Sequence, residues 1–131
     1  MLSHVTVGVR DIARATAFYD QILGSLGYAR TYTSDVFIGY GDPVAKTAMF
    51  WICLPYNGQL ASTGNGTHIA FNAPNRAAVD AFYKLALELG GKDEGPPGLR
   101  LHYTPTYYAA YVRDLDGNKL QAVCRKSESS G

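Results

Sequence analysis

Three histidines, one glutamine and a knot of aromatic residues are the side chains of this 131-residue chain best suited to chemistry. His4 and His68 each open a short apolar stretch, "HVTVGV" and "HIAFNA". Imidazole changes charge near neutral pH, so it can ligate a metal or move a proton. It can equally close a strand end through a backbone hydrogen bond, and only its partners decide. His102, in "RLHYTP", could act as a general base or touch a substrate, against the plainer reading of a surface histidine. Tyr103, Tyr107, Tyr108 and Tyr111 crowd the next ten residues. Tyrosine has a polar tip on an apolar body, which suits a pocket wall or a subunit interface. Tyr107 and Tyr108 are adjacent, so in a strand one faces a cleft and the other faces helices or an interface. Trp51 reads as a cleft wall. Cys53 and Cys124 lie in apolar runs and read as reduced core thiols rather than a disulfide.

A repeat relates the two strand-opening histidines. Residues 4–27, shifted by 64, fall on 68–91 with seven of 24 positions identical. Composition alone would give about one or two matches. His4/His68, Phe18/Phe82, Tyr19/Tyr83 and Gly27/Gly91 are among them. The chain therefore reads as two copies of one unit, roughly 1–60 and 66–126, with the Gly/Asn/Ser stretch 57–66 linking them. Residues 127–131 read as a disordered tail.

Each copy predicts a strand, a helix and about three further strands. Alternation marks the strands 4–9 and 68–73. Asp11 and Asn75 are candidate N-caps, apolar residues then recur at helical spacing, and Gly27 and Gly90-Gly91 are stops. In copy one, "TYTSDVFIGY" and "AMFWICLPY" read as strands around "GDPVAK", with "GYART" as a further short strand. In copy two "EGPPG" reads as a loop, and "YYAAYV" and "KLQAVC" flank the hairpin turn "RDLDGN". By parity, His4 and His68 lie on the strand face opposite the helix-packing residues. Gln121 lies opposite Leu120, Ala122 and Cys124, on a face it could share with the histidines.

These segments resemble the vicinal oxygen chelate superfamily, which includes glyoxalase I, bleomycin-resistance proteins and extradiol dioxygenases. The "RD…AFY…LG" opening and the "RDLDGN" ending carry the resemblance, which runs from residue 2 to about 125. It implies an α+β fold: two tandem βαβββ modules forming a curled, partly open mixed β-sheet cleft with helices outside. It also implies a homodimer. By position it implies metal ligands His4, His68 and Gln121, holding a single divalent zinc, iron, manganese or nickel ion. Two departures count against a tight site. Gln121 stands where similar metal-binding members carry Glu. The matching strand of the first module, "MFWICL", offers only Cys53 as a donor. Losing one charge-assisted contact costs ~1.5–3 kcal/mol, so the site is expected to bind metal weakly or not at all.

Bulk properties narrow the partners. Net charge is +1 with mixed signs, and no basic stripe points to nucleic acid. No window approaches the ~20 apolar residues of a membrane span, and Arg10 and Asp11 interrupt any signal-peptide core. A cytoplasmic protein that binds a small molecule is expected. One reading is a metal-dependent lyase or dioxygenase acting on a vicinal-oxygen substrate, towards which the resemblance leans. The other is a metal-free, antibiotic-sequestering binder in which Trp51, Tyr103, Tyr107 and Tyr108 stack on a flat ligand.

Overall fold

In a computed structural model, which describes residues 1–127, the repeat appears as two matched halves. The first contains β1 (Val5–Gly8), α1 (Ile12–Gly24), β2 (Ala29–Thr33), β3 (Phe37–Gly41) and β4 (Phe50–Cys53). The second contains β5 (His68–Asn72), α2 (Arg76–Glu88), β6 (Lys92–Leu99), β7 (Tyr108–Arg113) and β8 (Lys119–Cys124). The fold is α+β, built of two tandem βαβββ modules. Each makes its own four-stranded mixed sheet, ordered β1-β4-β3-β2 and β5-β8-β7-β6. In each, the first strand pairs in parallel with the last, and the remaining pairs are antiparallel.

The helices begin at repeat-equivalent places for the same reason. Asp11 accepts from the Arg14 N–H and Asn75 from the Ala78 N–H, each meeting one of the first turn's orphan donors. Past the helix ends, Gly27 (φ +93°) and Gly90 (φ +101°) adopt the left-handed conformation that other residues resist. The apolar stripe of each helix covers one face of its own sheet. Phe18, Ile22, Leu23 and Ile52 from the first half join Val79, Phe82, Val112 and Leu120 from the second in one buried core.

The "RDLDGN" turn has a larger role than closing a hairpin. Asp114 is buried and accepts from the Asp116 and Asn118 backbone N–H groups and from the Asn118 side chain. It also accepts from the Tyr19 hydroxyl of the other module. Asn118 donates to the Gly8 carbonyl and Asp116 accepts from the Arg10 N–H. One turn thus latches the modules together. Tyr28 adds a further link, donating to the Asn72 carbonyl.

Two expectations are corrected. "EGPPG" is not a free loop: it lies within β6. Pro96 and Pro97 cannot donate to a ladder, but β6 is an edge strand and two register shifts accommodate them. "TYTSDVFIGY" is not one strand. The Ser34 hydroxyl accepts from the Val36 and Phe37 N–H groups, turning the chain between β2 and β3. The tail expected at 127–131 lies, from residue 128 on, outside the described residues. Among the described residues no helix is long and apolar enough to cross a membrane.

Candidate functional site

Helices cover one face of each sheet and leave the other open. On the first sheet the open face is aromatic. The Trp51 indole is the hub, with Tyr32 at 5.4 Å, Phe37 at 6.3 Å and His4 at 6.5 Å between ring centroids. These residues and Thr6 border a shallow hollow of about 270 Å³. Trp51 lies against Gly39, its register partner on β3. A Cβ at Gly39 would stand 2.9 Å from the indole and 2.9 Å from the Ala48 methyl. Glycine is therefore what lets the indole lie on the sheet.

On the second sheet the open face is aromatic and cationic. Gln121 is 2% exposed and donates to the Tyr107 hydroxyl at 2.6 Å. The Tyr107 ring packs against Tyr103 at 4.9 Å, and His102 stacks on Tyr103 at 4.1 Å. The Arg125 guanidinium sits 5.4 Å from the Tyr107 ring centre. Further along β7, Arg100 and Lys119 lie 5.5 Å and 5.6 Å from the Tyr111 ring centre, and His68 packs on its edge at 6.2 Å. Burial, with the neighbouring Tyr107 and Tyr103, pushes the Tyr111 hydroxyl above its ordinary value, so it is a neutral donor at physiological pH.

The expected metal ligands do not all line one cavity. His4 and His68 both line a cavity of about 410 Å³, floored by Phe50, Tyr40 and Phe71. Gln121 is not among its lining residues; its amide nitrogen donates to Tyr107, a bond that does not engage the carbonyl oxygen a metal would take. Lys119 is the register partner of His68, placing an ammonium where a divalent ion would need an anionic donor. Burial raises the Cys53 thiol, which disfavours the thiolate a metal needs. Among the described residues, no three His, Cys, Asp or Glu side chains cluster closely enough to hold a metal ion. The donors of this chain do not fit a metal centre by themselves.

Of the expected ligand-contacting residues, Tyr103 and Tyr107 share the second sheet's open face with His102, and Trp51 lies on the first sheet's. Tyr108 is corrected. It points to the helix side, where its hydroxyl donates to Asp80 and Arg76 lies over its ring. Strand alternation separates it from Tyr107. Sequence reasoning missed Arg100, Lys119 and Arg125. Parity with Gln121 marks Lys119. Nothing comparable marks Arg100, because the bulges of β6 break the alternation.

The model of the Glyoxalase/Bleomycin resistance protein/Dioxygenase superfamily matches residues 1–122. A glyoxalase/bleomycin resistance protein from Albidiferax ferrireducens T118 is 39% identical, with a TM-score of 0.84 over 96% of this chain and 99% of that one. A glyoxalase-related enzyme from Fulvimarina pelagi, 20% identical, has a TM-score of 0.71 over 95% of this chain and 87% of that one. A glyoxalase/bleomycin resistance protein/dioxygenase family enzyme from Burkholderia phytofirmans PsJN, 19% identical, has a TM-score of 0.68 over 95% and 98%. The latter two show the fold alone. No curated protein matches.

Proposed function

The chain belongs to the glyoxalase/bleomycin resistance protein/dioxygenase superfamily, and we propose that within it this protein binds a small planar molecule on the tyrosine-lined face of the second sheet, without a metal ion at Gln121. The observation that carries this reading is the aromatic pair Tyr103 and Tyr107, whose rings pack 4.9 Å apart beside Gln121. The bond from Gln121 to the Tyr107 hydroxyl fixes that ring on the open face. Tyr103 and Tyr107 then offer ring faces, and their hydroxyls can orient a polar substituent. Binding of 2-naphthamide, followed by calorimetry before and after dialysis against a chelator, tests the reading. Unchanged affinity, weakened about fivefold or more by Tyr107→Leu (~1 kcal/mol or more), is expected. Binding that disappears with the chelator and returns with zinc would overturn it.

One observation favours the second reading, a metal-dependent lyase or dioxygenase: His4 and His68 line the same cavity. A bound divalent ion would supply Lewis-acid stabilisation of an oxyanion. His102, exposed beside Tyr103, would be the nearby base. That reading requires near-stoichiometric zinc, iron, manganese or nickel in the purified protein, lost in His68→Ala. We also take the working unit to be a homodimer. Exposed Tyr32, Phe37, Leu99 and Leu101 leave apolar surface that a second copy would cover. Light scattering on the purified chain checks this.

A further inference from the structure

The aromatic face of the second sheet carries more positive charge than its rings can satisfy. Arg100 and Lys119 each lie against the single ring of Tyr111, at 5.5 Å and 5.6 Å. A ring quadrupole attracts a cation but does not neutralise it, and two cations sharing one ring repel each other. Neither forms an ion pair among the described residues. The nearby carboxylate on this sheet, Glu94, is held by Arg113.

Arg100 is also fixed in place. Its two terminal nitrogens donate to the Gly98 and Pro96 carbonyls, 2.9 Å and 2.8 Å away. A guanidinium has five N–H donors, so three remain for another partner. Those bonds tie the side chain to the bulged segment of β6 and hold it over Tyr111. Lys119 reaches the same ring from β8, beside His68 in the ladder. A fixed fork and an ammonium against one ring, with Glu94 already paired to Arg113, are chemistry suited to an oxyanion.

We propose that the ligand of this face is an aromatic carboxylate, its ring packed on Tyr103 and Tyr107 and its carboxylate received by Arg100 and Lys119. This rests on the binding reading above and adds the charge of the ligand. It also opposes a cationic ligand, because such a molecule would meet Arg100, Lys119 and Arg125 on one face.

The experiment compares 2-naphthoate with its neutral counterpart 2-naphthamide on the full chain, by calorimetry at 50 mM and 500 mM salt. The carboxylate is expected to bind about tenfold more tightly at low salt, the scale of one well-placed charge contact. High salt should shrink that advantage, because the site is partly open to solvent. Lys119→Gln and Arg100→Gln should each bring 2-naphthoate down to the level of 2-naphthamide. Lys119→Gln makes no demand on the β6 bulge, so it remains informative if Arg100→Gln fails to fold. Equal affinity for the two probes in the unaltered protein would overturn the carboxylate and leave the aromatic site standing. A carboxylate preference that survives both substitutions would overturn the assignment to Arg100 and Lys119. Failure of both probes to bind would overturn the inference together with the binding reading.

Discussion

The open faces of the two sheets start from one repeated plan and end with opposite chemistry. Val5 pairs with Phe50 and Ile69 with Leu120, and 5 and 69 are repeat mates. Trp51 and Gln121 therefore occupy equivalent places, as do Met49 and Lys119. Across the next ladder Trp51 faces Gly39 while Gln121 faces Tyr111. The large residue has changed strands. On the first sheet an indole lies over glycine and fills the face with apolar surface. On the second a tyrosine stands on the neighbouring strand, and the space beside it holds an amide and two cations. A ligand site needs convergent polar groups in an apolar setting. The second arrangement sets more polar and charged groups beside its rings, and the lesson is that one exchanged pair can give the two halves of a duplicated scaffold different chemistry.

The latch that holds the halves in register is where a substitution should do the most damage. Asp114→Ala would leave the Tyr19 hydroxyl, the Asn118 amide and two backbone N–H groups without their acceptor. At about 1–3 kcal/mol for each buried donor left unmade, a loss of at least 3 kcal/mol is expected. Chemical denaturation would read it, with both faces lost in one transition. Gln121→Leu affects one face only. It removes the donor to Tyr107 from a buried position, costs about 1–3 kcal/mol, and should weaken 2-naphthamide binding while the Trp51 fluorescence maximum stays unchanged.

Gly39→Ala is the complementary change. A methyl 2.9 Å from the indole and from Ala48 must displace one of them. Overpacking of this kind costs about 1–3 kcal/mol. Trp51 is the sole tryptophan, so its emission should shift while binding on the second sheet persists. A binding loss in Gly39→Ala would mean that the two faces act as one site.

The smallest effect concerns pH. Burial raises the Tyr19 and Tyr40 hydroxyls, reinforced by Asp114 and Asp20 respectively. A raised folded-state value means the contribution to stability is complete below the unfolded value of about 10 and is lost as pH rises beyond it. Melting temperature should hold through neutral pH and fall above about pH 10. Tyr40→Phe should flatten that fall. Because both tyrosines lie in the shared core, the fall should affect the two sheets together.

Much of this molecule was legible in residue order. The 64-residue echo predicted two equivalent modules, because the same apolar spacing and the same capping chemistry at Asp11 and Asn75 call for the same helix. Alternation placed His4, His68 and Gln121 on strand faces away from the helices, since a strand has only two sides. It also required Tyr107 and Tyr108 to part. What residue order could not decide was which side chains meet. The partners of Gln121 and His68 depend on how β5, β7 and β8 slide into register, which is set by packing between segments distant in sequence. Arg100 reaches Tyr111 because β6 bulges around glycines and prolines, which breaks the rule that parity reading depends on. The side chains with catalytic or ligating chemistry were visible in the sequence. Which of them meet on the aromatic, cationic face was decided by tertiary contacts, because hydrogen bonds and charges act over a few ångströms of space and not along the chain.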